Sequence, residues 1–212
     1  MKNIPFFTTM YGVASLTLDQ IPFNRIAYIR IQTALEPDPL LKECLDFCKA
    51  VGAETVYATG INEPGNSLAC VSVIRMTRKR AGLSNTDLTI VSADKSNGDS
   101  FRSIFNEHMR KISHASAMTG DDLNAIIEKE NGYLLYRNQH LQGIGVADGE
   151  WIRAIISIEK GAGEAVLLGL NQMLKGESVT VELVDSNQRA KRLYEKMGFR
   201  LCETVSTWYK IL

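Results

Sequence analysis

The stretch "DSNQRAKRLYEKMGF", Asp185 to Phe199, leaves a polar turn, takes on helical character and stops at Gly198. On its N-terminal side "SVTVELVDS", 178–186, reads as a strand, and on its C-terminal side "RLCETVSTWYKIL", 200–212, has strand character. Further upstream "SIEKGAGEAVLLGL", Ser157 to Leu170, sets two glycines between a branched-apolar run and a second helical segment. A helix N-terminus exposes unpaired N–H groups and carries partial positive charge. It is an anion site if a ligand can come close. Glycines at 161 and 163 would clear that approach, and Lys160 adds a positive charge. The turn has no Gly-Lys-Ser/Thr of a P-loop and no third glycine of a dinucleotide fingerprint. Taken alone, it reads more readily as a helix cap or a point of tight packing.

The rest of the chain continues this alternation. Strands are expected at 13–18, 25–32, 53–60 and 68–77, a helix at 39–52 stopped by Gly52, and a turn at "NEPGNS", 62–67. After "AGLSNTD", 81–87, the best candidate linker, come a strand at "LTIVSAD", a helix at "GDSFRSIFNEHMRKI" and another at "TGDDLNAIIEKE" with Thr119 or Asp121 as its cap. Strands with turns then run from Gly132 to Ile158. The mixture predicts an α/β or α+β fold around a mixed sheet.

Slid by 124 residues, Ala27 falls on Trp151 and Gly52 on Gly176, and strand–helix–strand meets strand–helix–strand without a gap. The difference lies at the turn, where "PDP", 37–39, faces "GAG", 161–163. Prolines have no N–H to donate and Asp38 would repel phosphate, so only the second unit is expected to hold a diphosphate. Residues 1–83 are thus expected to form a degenerate N-terminal subdomain that extends the sheet or walls a cleft, and 84–212 the functional domain.

Composition narrows the possible partners. The chain has 212 residues, 45% of them apolar, with 24 basic and 24 acidic side chains. That balance gives no support for a nucleic-acid partner, and "RMTRKR", 75–80, is expected to be a solvated strand end. No apolar run approaches the roughly 18 residues of a membrane span, and the N-terminus has no signal-peptide core. Four cysteines without a Cys-x-x-Cys pair, and three scattered histidines, predict reduced thiols, a cytoplasmic location and no metal site. Monomer and homodimer are equally compatible.

The segment 185–199 resembles the GNAT N-acetyltransferase superfamily through Asn187, Ala190, Leu193, Tyr194, Glu195, Lys196, Gly198 and Phe199. "EKGAGEAVL" stands at the right distance before it to match that family's glycine-rich turn. The resemblance covers roughly 88–212. It implies a curved mixed sheet whose two central parallel strands splay apart around the pantetheine arm of acetyl-CoA. It also implies cofactor contacts from Ile156, Ser157, Ile158, Glu159, Lys160, Gly161, Ala162, Gly163 and Glu164, with Asn187 and Ala190 at the next helix. Tyr194 would protonate the leaving thiolate, and the acceptor would be a primary amine of a small molecule or peptide. Glu150 and Glu182 are candidate bases. The chain departs from the family in having Ile158 where Gln or Arg is usual, and in a short strand-to-turn link. Those departures leave a catalytically silent CoA-binding sensor or scaffold as the alternative. A nucleotide-binding protein using the glycine turn alone is a third reading.

Overall fold

A computed structural model describes residues 5–60, 70–112 and 114–212. The turn expected at 62–67 lies outside them. Two compact units divide the chain: Met1–Ser72 with Val205–Leu212, and Val73–Thr204.

In the first unit β1 (Phe6–Thr9), β2 (Gly12–Thr17), the short helix α1 (Ile21–Asn24), β3 (Ile26–Ala34), α2 (Pro37–Ala50) and β4 (Thr55–Thr59) follow in order. The strands lie β1-β2-β3-β4, antiparallel until β3 and β4, which run parallel. Tyr209 and Lys210, near the C-terminus, pair with Ala58 and Tyr57. Leu40, Cys44 and Cys48 recur at helical spacing along α2 and are buried against Ala14, Leu16, Ala27, Ile29 and Val56. All four cysteines are free thiols. Burial pushes the thiols of Cys44 and Cys48 up to about 11, whereas Cys70 and Cys202 are exposed. Titration with an aromatic disulfide at pH 8 is expected to count the two exposed thiols quickly and the α2 pair only after denaturation; early reaction of all four would place α2 outside a packed core.

The second unit contains β5 (Cys70–Lys79, from Val73 onward), β6 (Thr89–Ser92), α3 (Gly98–Met109), α4 (Gly120–Glu128), β7 (Gly132–Arg137), β8 (His140–Asp148), β9 (Trp151–Ser157), α5 (Gly163–Gln172), β10 (Ser178–Val184), α6 (Gln188–Lys196) and the start of β11 (Arg200–Lys210). Its strand order is β5-β10-β9-β8-β7-β6, antiparallel at every step except β10–β9. Strand residues alternate between faces. Val179, Val181 and Leu183 of β10 meet Val166, Leu167 and Leu170 of α5 in one core. Ile144, Val146 and Ile156 face the opposite way, into a core with Phe101 of α3 and Leu123 of α4. Phe101 is fully buried. Phe101→Ala is therefore expected to cost about 3–5 kcal/mol, read as a lower denaturant midpoint; a loss within experimental error would mean that this second core is not packed.

The start of α4 settles on Thr119, whose hydroxyl accepts from the Asp122 N–H at 3.1 Å while the Asp122 carboxylate accepts from the Thr119 N–H at 3.0 Å. The basic run at 75–80 is more than a solvated strand end. Arg75 bridges two carboxylates, and Arg78 donates to the Met197 carbonyl at the C-terminus of α6, where a cation is favoured. Among the described residues, no helix is long and apolar enough to cross a membrane, and no group of His, Cys, Asp and Glu is placed to hold a metal ion.

Candidate functional site

The parallel pair β9–β10 begins normally. Thr180 N–H donates to the Glu150 carbonyl at 2.8 Å, and Trp151 and Ile152 stand opposite Thr180 and Val181. There the pairing stops, although both strands continue for several residues. The cause lies on the other edge of β9. Opposite β8, Ile152 pairs with Ala147 and Ala154 with Val146, so Arg153 is an extra residue, a β-bulge. A bulge bends its strand and ends local pairing. Ile152 and Ile155 consequently both face the α5 core, while Ala154 and Ile156 face the other. Beyond Arg153 the two strands part, and each presents an edge of backbone N–H and C=O groups to the gap.

The corresponding strands of the first unit do not part. Ala27 and Tyr28, which fall on Trp151 and Ile152 in the 124-residue repeat, pair with Val56 and Tyr57, and the ladder runs on through Ile29–Ala58 and Arg30–Thr59. The irregularity in β3 comes later, near Gln32. The first unit thus lacks the gap as well as the glycine turn.

At the far end of β9 stand the turn and α5. Gly161 has φ +89°, a left-handed conformation that favours glycine, and open space where a side chain would project. Gly163 also meets a packing requirement. A Cβ there would lie 3.2 Å from the Leu193 side chain on α6 and 3.8 Å from Ser157 Oγ, so this glycine lets two helices and the end of β9 close together. Helix α5 has no side-chain cap. The Val166 N–H is the first to close an intrahelical bond, to Ala162. The N–H groups of Gly163, Glu164 and Ala165 find no partner among the described residues. These three amides and the macrodipole are what the turn can offer an anion. Ile158 and Ala162 offer none: the N–H of Ile158 donates to Gln142 O at 2.9 Å and that of Ala162 to Glu159 O at 3.1 Å. Ile156 is buried in the α3–α4 core, and Ile158 packs against it. Glu159 and Lys160 are exposed. The Glu164 carboxylate accepts from Lys196 Nζ at 2.6 Å, which ties α5 to α6 and offsets a negative charge beside the amides.

Helix α6 is capped by Asn187, whose Oδ1 accepts from the Ala190 N–H at 3.1 Å. Asn187 and Ala190 are therefore engaged with each other, and the Asn187 amide nitrogen and the second lone pair of Oδ1 remain for a ligand. Tyr194 is 4% exposed, with its ring 5.4 Å from that of Phe199 and within the α5 core. Burial pushes its phenol well above the usual value. Its hydroxyl has no partner among the described residues and is not one of the fully enclosed polar atoms left without one, so the ring is buried and the oxygen is not sealed.

The two candidate bases differ. Glu182 accepts from Arg75 Nε at 3.0 Å and Nη2 at 2.7 Å, and Arg75 also binds Glu203. Glu150 stands at the start of β9 with its side chain packed over Gly176. Around Arg75 the structure brings together residues that sequence spacing did not single out. The Arg75 guanidinium is 5.0 Å and that of Arg153 4.2 Å from the centre of the Trp151 ring. Arg75 and Glu182 are 107 positions apart and meet only because β5 lies against β10.

No protein-family model and no curated protein matches the chain in sequence. Solved structures do match in fold. A functionally unknown conserved protein from Staphylococcus epidermidis aligns with TM-score 0.61 at 10% identity, over 99% of this chain and 94% of that one. A GNAT-family acetyltransferase from Colwellia psychrerythraea aligns with TM-score 0.54 at 14% identity, over 97% and 83%. A GCN5-related N-acetyltransferase from Sphaerobacter thermophilus aligns with TM-score 0.57 at 11% identity, over 93% and 75%. The fold is that of the GNAT acetyltransferases, a mixed sheet flanked by helices.

Proposed function

We propose that the protein is an acetyl-CoA-dependent N-acetyltransferase acting on a primary amine of a small molecule or peptide. One observation carries the reading: the central parallel strands part at a bulge, and the gap leads to an uncapped helix whose first amides have no other partner among the described residues. An extended chain rich in amides can pair with a free strand edge, and a diphosphate suits a helix N-terminus. Coenzyme A has both parts in one molecule. The residues fit it: the amides of Gly163, Glu164 and Ala165 with Lys160 for the diphosphate, and the edge of β9 from Arg153 to Ser157 for the pantetheine arm.

When bound, acetyl-CoA supplies an activated acyl group to an amine. The chain's own part is placement first. Holding two reactants at attack distance contributes several kcal/mol of the barrier. Tyr194 is the second part. A phenol held protonated by burial is a weak acid but a good hydrogen-bond donor, and its oxygen is not sealed. Its role here is to donate a hydrogen bond to the developing thiolate. Glu182 gives one carboxylate oxygen, Oε1, to Arg75, which leaves its Oε2 as the atom that would serve as a base.

The test is consumption of acetyl-CoA against a panel of primary amines, with acetylated product identified by mass. Product formation at the amine supports the reading. Ile158, where the resembled turn usually has Gln or Arg, favours a second one, a CoA-binding module without turnover. Saturable CoA binding with no product from any amine would establish that alternative.

A further inference from the structure

Charged side chains beside the parting strands narrow the class of acceptor. Diphosphate bound at the α5 turn and an arm laid back along β9 would cover the strand from Ser157 toward Arg153, roughly 13 Å at 3.3 Å per residue. The reacting end therefore lies where β9 and β10 separate. Four charged groups and one aromatic ring gather at that point. Trp151 lies under both Arg75 and Arg153. Arg75 is shared by Glu182 and Glu203, whose side chains are 34% and 52% exposed. Two carboxylates on one guanidinium leave a surplus of negative charge on that side. Arg153, exposed on the bulge itself, has no carboxylate partner among the described residues. The cluster thus joins a carboxylate pair held by Arg75 and an unpaired guanidinium, Arg153, at one indole ring.

We propose that Arg153, held over Trp151 at the mouth of the gap, binds an anionic group of the acceptor, so that the substrates are amines that also bear a carboxylate, with the amine directed toward the Glu182–Glu203 side. The inference rests on the acetyltransferase reading. A planar guanidinium stacked on an indole keeps its N–H edge free and oriented, which suits paired contacts to a carboxylate. Hydrophobic pockets discriminate weakly against small changes, whereas a fixed charge left without its partner discriminates strongly.

The experiment compares matched acceptors, each amino acid with its carboxamide, by kcat/KM at saturating acetyl-CoA, in wild type, Arg153→Gln and Arg153→Glu. Wild type is expected to favour the acid by about 30-fold, the size of one charge-assisted contact. Arg153→Gln should bring that ratio to about one, and Arg153→Glu should reverse it in favour of the carboxamide. Affinity for acetyl-CoA, measured by calorimetry, is the independent check that the variants fold and load. Turnover without preference for the acid in wild type, or a preference that survives Arg153→Gln, would overturn this inference and leave the acetyltransferase reading standing. Absence of turnover with every amine would overturn both.

Discussion

Tyr194→Phe is expected to lower kcat about 100-fold, at the low end of what a positioned proton or hydrogen-bond donor contributes, with acetyl-CoA affinity changed less than twofold. The substitution removes one oxygen and keeps the ring, so packing against Phe199 and the α5 core survives. Stability should therefore move little, and thermal melting provides that control. The effect belongs in kcat because the hydroxyl acts on charge that develops only as the thiolate leaves. An unchanged kcat would make Tyr194 a core residue and nothing more. A fall in stability without a fall in kcat would say the same.

The second large effect is expected from the first turn of α5. Glu164→Pro should weaken acetyl-CoA binding about 10–100-fold, the value of one hydrogen bond to a charged group. Proline is tolerated in a first helical turn because the N–H it lacks is unpaired there in any case. The residue before it is Gly163, which accommodates the restriction proline imposes on its neighbour. The control is Glu164→Ala, which keeps the amide while removing the carboxylate and its bond to Lys196. That variant should bind as tightly as wild type or more tightly, since a negative charge near the diphosphate is lost. Equal weakening in both variants would trace the effect to the Glu164–Lys196 pair and not to the amide. Calorimetric titration of each variant separates the two.

Much of this architecture is legible in the sequence because local signals carry it. The apolar spacing of α2, the Thr119 cap and the stop at Gly198 are each set within a few residues, and the structure has them at those positions. At the 124-residue offset the ranges of β3, α2 and β4 also fall on those of β9, α5 and β10. What decides the site is not local. Nothing in "WIRAIIS" marks Arg153 as a bulge; that follows from its register against β8. The sequence suggests that Gly163 clears space for a ligand, but its neighbour is Leu193, thirty positions on. The motif around Asn187 names a helix and a tyrosine but not their surroundings, and the structure puts the Asn187 oxygen on the Ala190 amide and the Tyr194 ring in the core. The C-terminal residues Val205–Leu212 join the first unit, which no linear division of the chain would anticipate. In each case the missing information is a partner contributed by a distant strand or helix.

The most direct measurement is a calorimetric titration of the wild-type protein with acetyl-CoA, repeated with adenosine diphosphate and with pantetheine alone. If the gap between β9 and β10 and the bare amides of α5 act together, acetyl-CoA should bind at one site per chain, and each fragment should bind at least tenfold more weakly than the whole. No heat with acetyl-CoA at millimolar concentration, or two equivalent sites per chain, would contradict the account.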